Sequence, residues 1–214
     1  LAGGCHHNVM MEYTLNSVLT LNFNTFGTGC YSNMFGTACH YNTFGTGCYY
    51  NTFSIKCDSN TFGNDCYYNT LGNGFDDNTF GNGCYSNTFG DKCDTNTFGD
   101  NCSNNMFGNG CDSNTFGNSC ISNTFGNVCS YNVLSDTCRY NIFGDNCNYN
   151  MFGTLCNYNM FGTLCNYNTF GTGCYSNTFG NDCSYNNFYT GTSGTIKKDY
   201  IRYIFLEDGC RYNN

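Results

Sequence analysis

The sequence predicts an all-β protein, a parallel β-solenoid (β-helix) with about 18 residues, two nonapeptides, in each coil. Three observations carry this reading. From Asn24 to Asn186 the phrase Asn-Thr-Phe-Gly-x-x-Cys-x-x repeats without losing register. Asn fills all 19 first positions, Phe fills 17 of the 19 third positions, and Cys fills 17 of the 18 seventh positions between Cys30 and Cys183. The apolar spacing runs four, then five: Phe26 to Cys30, Cys30 to Phe35, Phe35 to Cys39. A fixed short period implies coils stacked along a line.

Each position of the repeat has a physical reading. Helix is excluded, because an amphipathic helix needs apolar spacings of three and four, and Gly occupies 16 of the 19 fourth positions. Short strands of Thr, Phe, Tyr and Cys flanking a Gly-x-x turn fit better. Gly at position four is expected to supply a positive φ where the chain bends. One nonapeptide is too short to encircle a core, so two make a coil with two Phe and two Cys pointing inward. The expected core therefore includes Phe26, Cys30, Phe35, Cys39, Cys102, Phe107, Cys147 and Phe152. With coils about 4.8 Å apart, roughly ten or eleven coils make a rod of about 50 Å. Right-handed winding is the default expectation. Asn24, Asn42, Asn60, Asn78 and Asn96 are expected to stack as a ladder that bonds turn backbone and neighbouring Asn side chains. The repeat has Phe two residues after its Asn, so the array is not a run of glycosylation sequons.

The cysteines admit three readings. Zinc sites use close Cys pairs with His or Cys partners, whereas here the spacing is nine and His6, His7 and His40 are the only histidines. A disulfide framework would join cysteines i and i+9. The favoured reading is a ladder of reduced, buried thiols, because free Cys behaves as a small hydrophobe. Phe75, the one seventh-position residue that is not Cys, would orphan a disulfide partner, and the same repeat carries Leu71 in place of Phe. A volume loss at one position accompanies a gain at the other, as two residues sharing one core would show.

Three segments are expected. Residues 1–23 form an irregular lead-in coil or cap, with Asn8, Asn16 and Asn24 spaced by eight. Residues 24–188 are the regular array. Residues 189–214 are a variant coil in which the phrase resumes at Leu206 and Cys210. Both ends fall inside repeats, so the chain is expected to be part of a longer repetitive protein.

Composition narrows the function. The net charge is -8, with three basic residues and eleven aspartates in the array. The basic stripe of a nucleic-acid binder is missing, so no nucleic-acid partner is expected. No apolar run is long enough for a membrane span, and no cofactor or metal is expected. A calcium β-roll needs Gly-Gly-x-Gly-x-Asp turns, but Asp65, Asp91, Asp100, Asp136, Asp145 and Asp182 are scattered over positions five and six. An acidic DNA mimic is disfavoured by magnitude: DNA carries a charge about every 1.7 Å, or roughly 30 along such a rod. Thr at 12 of 19 second positions suggests an ice-binding face, but Met34, Met106, Met151 and Met160 interrupt the array. Tyr131, Tyr140, Tyr149, Tyr158 and Tyr167, all at position nine, are the candidate binding face for a protein or glycan surface. Ring stacking between coils is the plainer account of them. Three histidines and no clustered acids leave no catalytic candidates.

The motif Asn-Thr-Phe-Gly-x-x-Cys, closed by Ile-Phe-Leu-Glu-Asp-Gly-Cys, resembles repeat proteins of gut Bacteroidales and their phages, over about 165 of the 214 residues. The two-nonapeptide coil also resembles the quadrilateral coil of pentapeptide-repeat proteins. The first resemblance implies a non-catalytic structural module of a fibre or surface protein, such as a phage tail fibre or adhesin, within a larger assembly. It also implies a surface-exposed or virion-associated location.

Overall fold

The computed structural model describes residues 21–191 and, for the backbone alone, strands at 9–10, 12–14, 17–19, 193–196, 205–206 and 211–213. The opening phrase through Asn8, with Cys5, His6 and His7, and the closing residues 207–210 lie outside the described residues. Every described element is a β-strand, and the array is a parallel β-solenoid of about nine turns with about 18 residues per turn.

Each nonapeptide contributes one two-residue strand at positions two and three. Alternate repeats go to alternate sheets, so Thr25–Phe26 pairs with Thr43–Phe44, and Met34–Phe35 pairs with Thr52–Phe53. The result is one 12-stranded and one 11-stranded parallel sheet, with a separate antiparallel pair, Glu12–Thr14 with Ser17–Leu19. In each array strand the second-position side chain faces outward and the third-position side chain is buried, as the period of two requires. The two sheets give a Thr25 face and a Met34 face. Between them lie two sides that carry the inward cysteines, a Cys30 side and a Cys39 side.

Outside the regular array, Val9 pairs with Met34, more than one coil further along the chain, and the hairpin at 12–19 takes up the surplus. At the other end Phe188 pairs with Leu206, which keeps the spacing of the array. A one-residue slip occurs between Tyr175 and Asn177 where they pair with Ser193–Ile196.

The core is two columns of stacked Phe rings meeting edge to face. Phe26 stacks on Phe44 at 4.8 Å, Phe35 on Phe53 at 4.4 Å, and Phe35 meets Phe44 at 5.2 Å and 88°. Both are preferred aromatic geometries. Phe26, Cys30, Phe35, Cys39, Leu71, Phe75, Cys102, Phe107, Cys147 and Phe152 are all buried in this core.

The chain turns at four corners per coil, and each corner holds a left-handed residue. Every residue at position six from Gly29 to Gly191, and at position nine from Ser32 to Tyr185, has φ near +60°. Most are not glycine. Val128, Thr95, Leu155 and the position-nine tyrosines adopt a conformation that costs an L-residue roughly 1–2 kcal/mol. Stacking offsets this, because such N–H groups donate to carbonyls of the next coil, as Tyr131 does to Asn148 (3.1 Å) and Val128 to Asp145 (2.8 Å).

This corrects the expectation for position four, whose glycines are absent from the positive-φ residues. They are there for close approach. A Cβ on Gly45 would sit 2.7 Å from the Thr28 nitrogen and 2.8 Å from the Gly27 carbonyl carbon of the preceding coil. The three exceptions, Ser54, Ser135 and Tyr189, make the same inter-coil N–H···O bond at 3.1 Å, the long end of the range over which the glycines make it, from Gly63 at 2.8 Å to Gly72 at 3.1 Å.

Candidate interaction surfaces

The inward residues are committed to stacking. Two Asn ladders run the length of the array, one through Asn24, Asn42, Asn60, Asn78 and Asn96, the other through Asn33, Asn51, Asn69 and Asn87. Asn105 shows the pattern. Its Oδ1 accepts the Asn87 backbone N–H (3.0 Å) and the Asn87 Nδ2–H (3.1 Å), while its own Nδ2 donates to Cys84 O and to Asn123 Oδ1, both at 3.1 Å. A fully buried amide is thereby satisfied at both ends.

The cysteines also form ladders. All 17 cysteines from Cys30 to Cys183 are reduced thiols and buried. Each neighbours its counterpart in the adjacent coil, not the cysteine at i+9, because successive repeats lie on opposite sides of the coil. The thiol does more than fill space. Cys111 Sγ accepts the Cys93 backbone N–H (3.4 Å) and donates to Gly90 O of the coil below (3.3 Å). Hydrogen bonding to Cys102 and Cys66, together with burial, pushes the Cys84 thiol up. The array's cations, Lys56, Lys92 and Arg139, stand at positions six and eight and not at the inward seventh, so no cation compensates a thiolate in this core and burial disfavours the charged form.

Two further ladders escape a linear reading. At position five, Asn and Asp carry an Oδ1 that accepts a backbone N–H one coil on: Asn82 from Asp100 (2.9 Å), Asp100 from Asn118 (2.7 Å), Asp145 from Thr163 (2.7 Å). The scattered turn aspartates at 91, 100, 136 and 145 are thus backbone caps, and among the described residues no group of three His, Cys, Asp or Glu gathers to hold a metal. At position eight, on the Cys39 side, Asn22, His40, Asp58, Asp76, Asp94, Asp112, Ser130, Asn148 and Asn166 each accept from the next coil. His40 lies 3.8 Å from Asp58 Oδ2. The four aspartates form a regular column, where the sequence shows only irregular acids. Burial pushes Asp76 and Asp112 above the ordinary carboxylate range.

The five position-nine tyrosines do not share one face. Tyr131, Tyr149 and Tyr167 stack at 5.0 and 4.8 Å along one corner, while Tyr140 and Tyr158 stack at 5.0 Å along the opposite corner. A larger aromatic cluster sits on the Cys30 side, where Tyr31, Tyr49, Tyr67 and Tyr85 stack at 5.0 Å spacing beside Tyr50 and Tyr68. Within each column the ring faces are spent on neighbouring rings, which leaves edges and hydroxyls outward. That geometry disfavours stacking a sugar ring on them.

Position two also sorts by face. Thr25, Thr43, Thr61, Thr79, Thr97 and Thr115 form an unbroken column on the Thr25 face. Met34, Met106, Ile142 and Met160 fall on the Met34 face. Among the described residues no helix is long and apolar enough to cross a membrane. Comparison with protein families, characterised proteins and solved structures gives no match.

Proposed function

We propose that this array is a non-catalytic structural module, a stiff β-solenoid segment of a fibre or surface protein such as a phage tail fibre or adhesin. The observation that carries the reading is the commitment of side chains to the stack: Asn, Phe, Cys and the position-five Asx residues bond or pack to copies of themselves one coil away. Such periodic self-bonding makes a rod, and a rod's use is to hold something at a distance. Antibodies raised against the array test it. Labelling of appendages on the cell or virion surface is expected, and labelling confined to the cell interior would contradict it.

The unbroken Thr25–Thr115 column favours a second reading, an ice-binding face. Six outward Thr in strict register offer a flat row of methyls and hydroxyls. The row is single, which limits its match to a two-dimensional ice lattice. Thermal hysteresis that disappears on Thr79→Lys with Thr97→Lys would establish this reading at the expense of the spacer.

A further inference from the structure

We infer that residues 128–167 form a self-association surface, through which the rod packs side by side with further copies of this chain on two opposite faces. A monomeric rod still serves as a spacer, so this self-association goes beyond the fibre reading and does not depend on it.

Two consecutive repeats carry the inference. Across one coil of the Met34 face, position two and its flanking corners hold Tyr158, Met160 and Leu164, which are 41%, 52% and 43% exposed. Across the Thr25 face the same positions hold Tyr149, Met151 and Leu155, 47%, 54% and 46% exposed. An odd and an even repeat of the same composition thus place one apolar triple on each of two opposite faces at nearly the same height. Ile142 and Val133 extend the two patches by one coil, in register with Met160 and Met151. Nothing in the coil requires these residues. The same positions hold Asp77, Thr79 and Gly83 in one earlier coil and Ser86, Thr88 and Lys92 in another.

Charge permits a second copy as the partner, and coil spacing matches it. Residues 128–167 carry Asp136, Arg139 and Asp145 as their only charged residues, whereas 56–112 carries eight aspartates and two lysines. Repulsion between two copies is therefore low where the apolar triples lie, as it is over 24–55, which holds no Asp, Glu, Lys or Arg and lacks the triples. A second copy also has the same coil spacing, so triples on facing rods meet coil for coil. A partner that fits one face fits the other, which makes association continue past a pair. Each patch is four partly exposed side chains, which falls short of the roughly 800 Å² per partner of a standard interface. A single contact is therefore weak, and association rises steeply with concentration.

Sedimentation velocity of the whole chain from about 5 to 500 µM tests this, with two variants whose residues already occur at these positions in other coils. The first, Ile142→Thr/Met160→Thr/Leu164→Lys, clears the Met34 face, and the second, Val133→Thr/Met151→Thr/Leu155→Asp, clears the Thr25 face. The native chain is expected to form species larger than a dimer, each single-face variant to stop at a dimer, and the combined variant to stay monomeric. Association of the native chain should survive high salt, about 1 M, which screens charge but not apolar contact. A native chain that is monomeric throughout, one that dissociates in salt, or a combined variant that associates as well as the native chain would each overturn the inference.

Discussion

The ring of Phe75 fills the space that Leu71 leaves. Leu71 sits in the Phe column between Phe53 and Phe89, and Phe75 reaches both of those rings, at 5.7 and 6.2 Å. The single departure from Cys is thus paired with a departure from Phe in the same repeat. Leu71→Phe alone should overpack the site and Phe75→Cys alone should leave a cavity, each costing about 1–4 kcal/mol. The double variant restores the common repeat and should recover most of the loss, with coupling of about 1–3 kcal/mol in denaturant unfolding. Additive losses would mean that the two positions do not share a core.

The two kinds of glycine should respond differently to alanine. Gly45 faces backbone of the preceding coil, so Gly45→Ala must push two coils apart and should cost about 2 kcal/mol or more. Gly47, at φ +68° with nothing within 4 Å of a built Cβ, lies at a position where Ala38 and Lys56 are already tolerated. Gly47→Ala should cost only about 1 kcal/mol. Equal melting shifts for the two would sink the close-approach account of position four.

Acidity should stabilise the aspartate column. Burial raises the Asp76 and Asp112 carboxyls in the folded chain, so folding favours their protonated forms. That contribution is full below the unfolded pKa and is lost as the pH rises through the folded one. Burial disfavours the charged forms that rising pH produces. Asp76→Asn and Asp112→Asn keep an Oδ1 to accept the N–H of Asp94 and of Ser130, and Asn148 and Asn166 already hold the same column. Each variant should raise the melting temperature at pH 7 by roughly 1–3 °C, with the gain vanishing below about pH 3.5. A lower melting temperature at pH 7 would reverse the sign and refute the assignment.

Thiol chemistry should follow burial. With all 17 array thiols reduced and buried, the native protein should react with iodoacetamide only as fast as it unfolds. Denatured without reductant, it should expose nearly all of them. A denatured protein with few reactive thiols would place disulfides in the ladder, and the geometry then points to partners one coil apart.

What could be read from the sequence was whatever repeats every nine residues and is buried. Asn, Phe and Cys recur with an apolar spacing that only a stacked coil accommodates, so a turn of two nonapeptides follows from them. The corners were less legible. The left-handed residues at six and nine are Tyr, Ser, Lys, Val and Leu more often than Gly, and their φ is held by bonds to the next coil, which leave no local signature. The Asx caps at position five and the column from Asn22 to Asn166 become visible only once alternate repeats are placed on one another. The same holds for the Thr column from Thr25 to Thr115, which Met34 and Met106 interrupt in the linear order because two faces are interleaved there.

The register of the coil is tested most directly by a double-mutant cycle on the buried asparagines. Asn87 and Asn105, two repeats apart, share two hydrogen bonds, while Asn96 lies on the other ladder, bonded to Asn78 and Asn114. Each change to Ala should cost about 2–4 kcal/mol, because it strands buried donors and acceptors. A coil of two nonapeptides predicts coupling of about 0.5–3 kcal/mol between Asn87 and Asn105, and additivity within about 0.5 kcal/mol between Asn87 and Asn96. Coupling between Asn87 and Asn96 with additivity between Asn87 and Asn105 would contradict the coil on which every ladder depends.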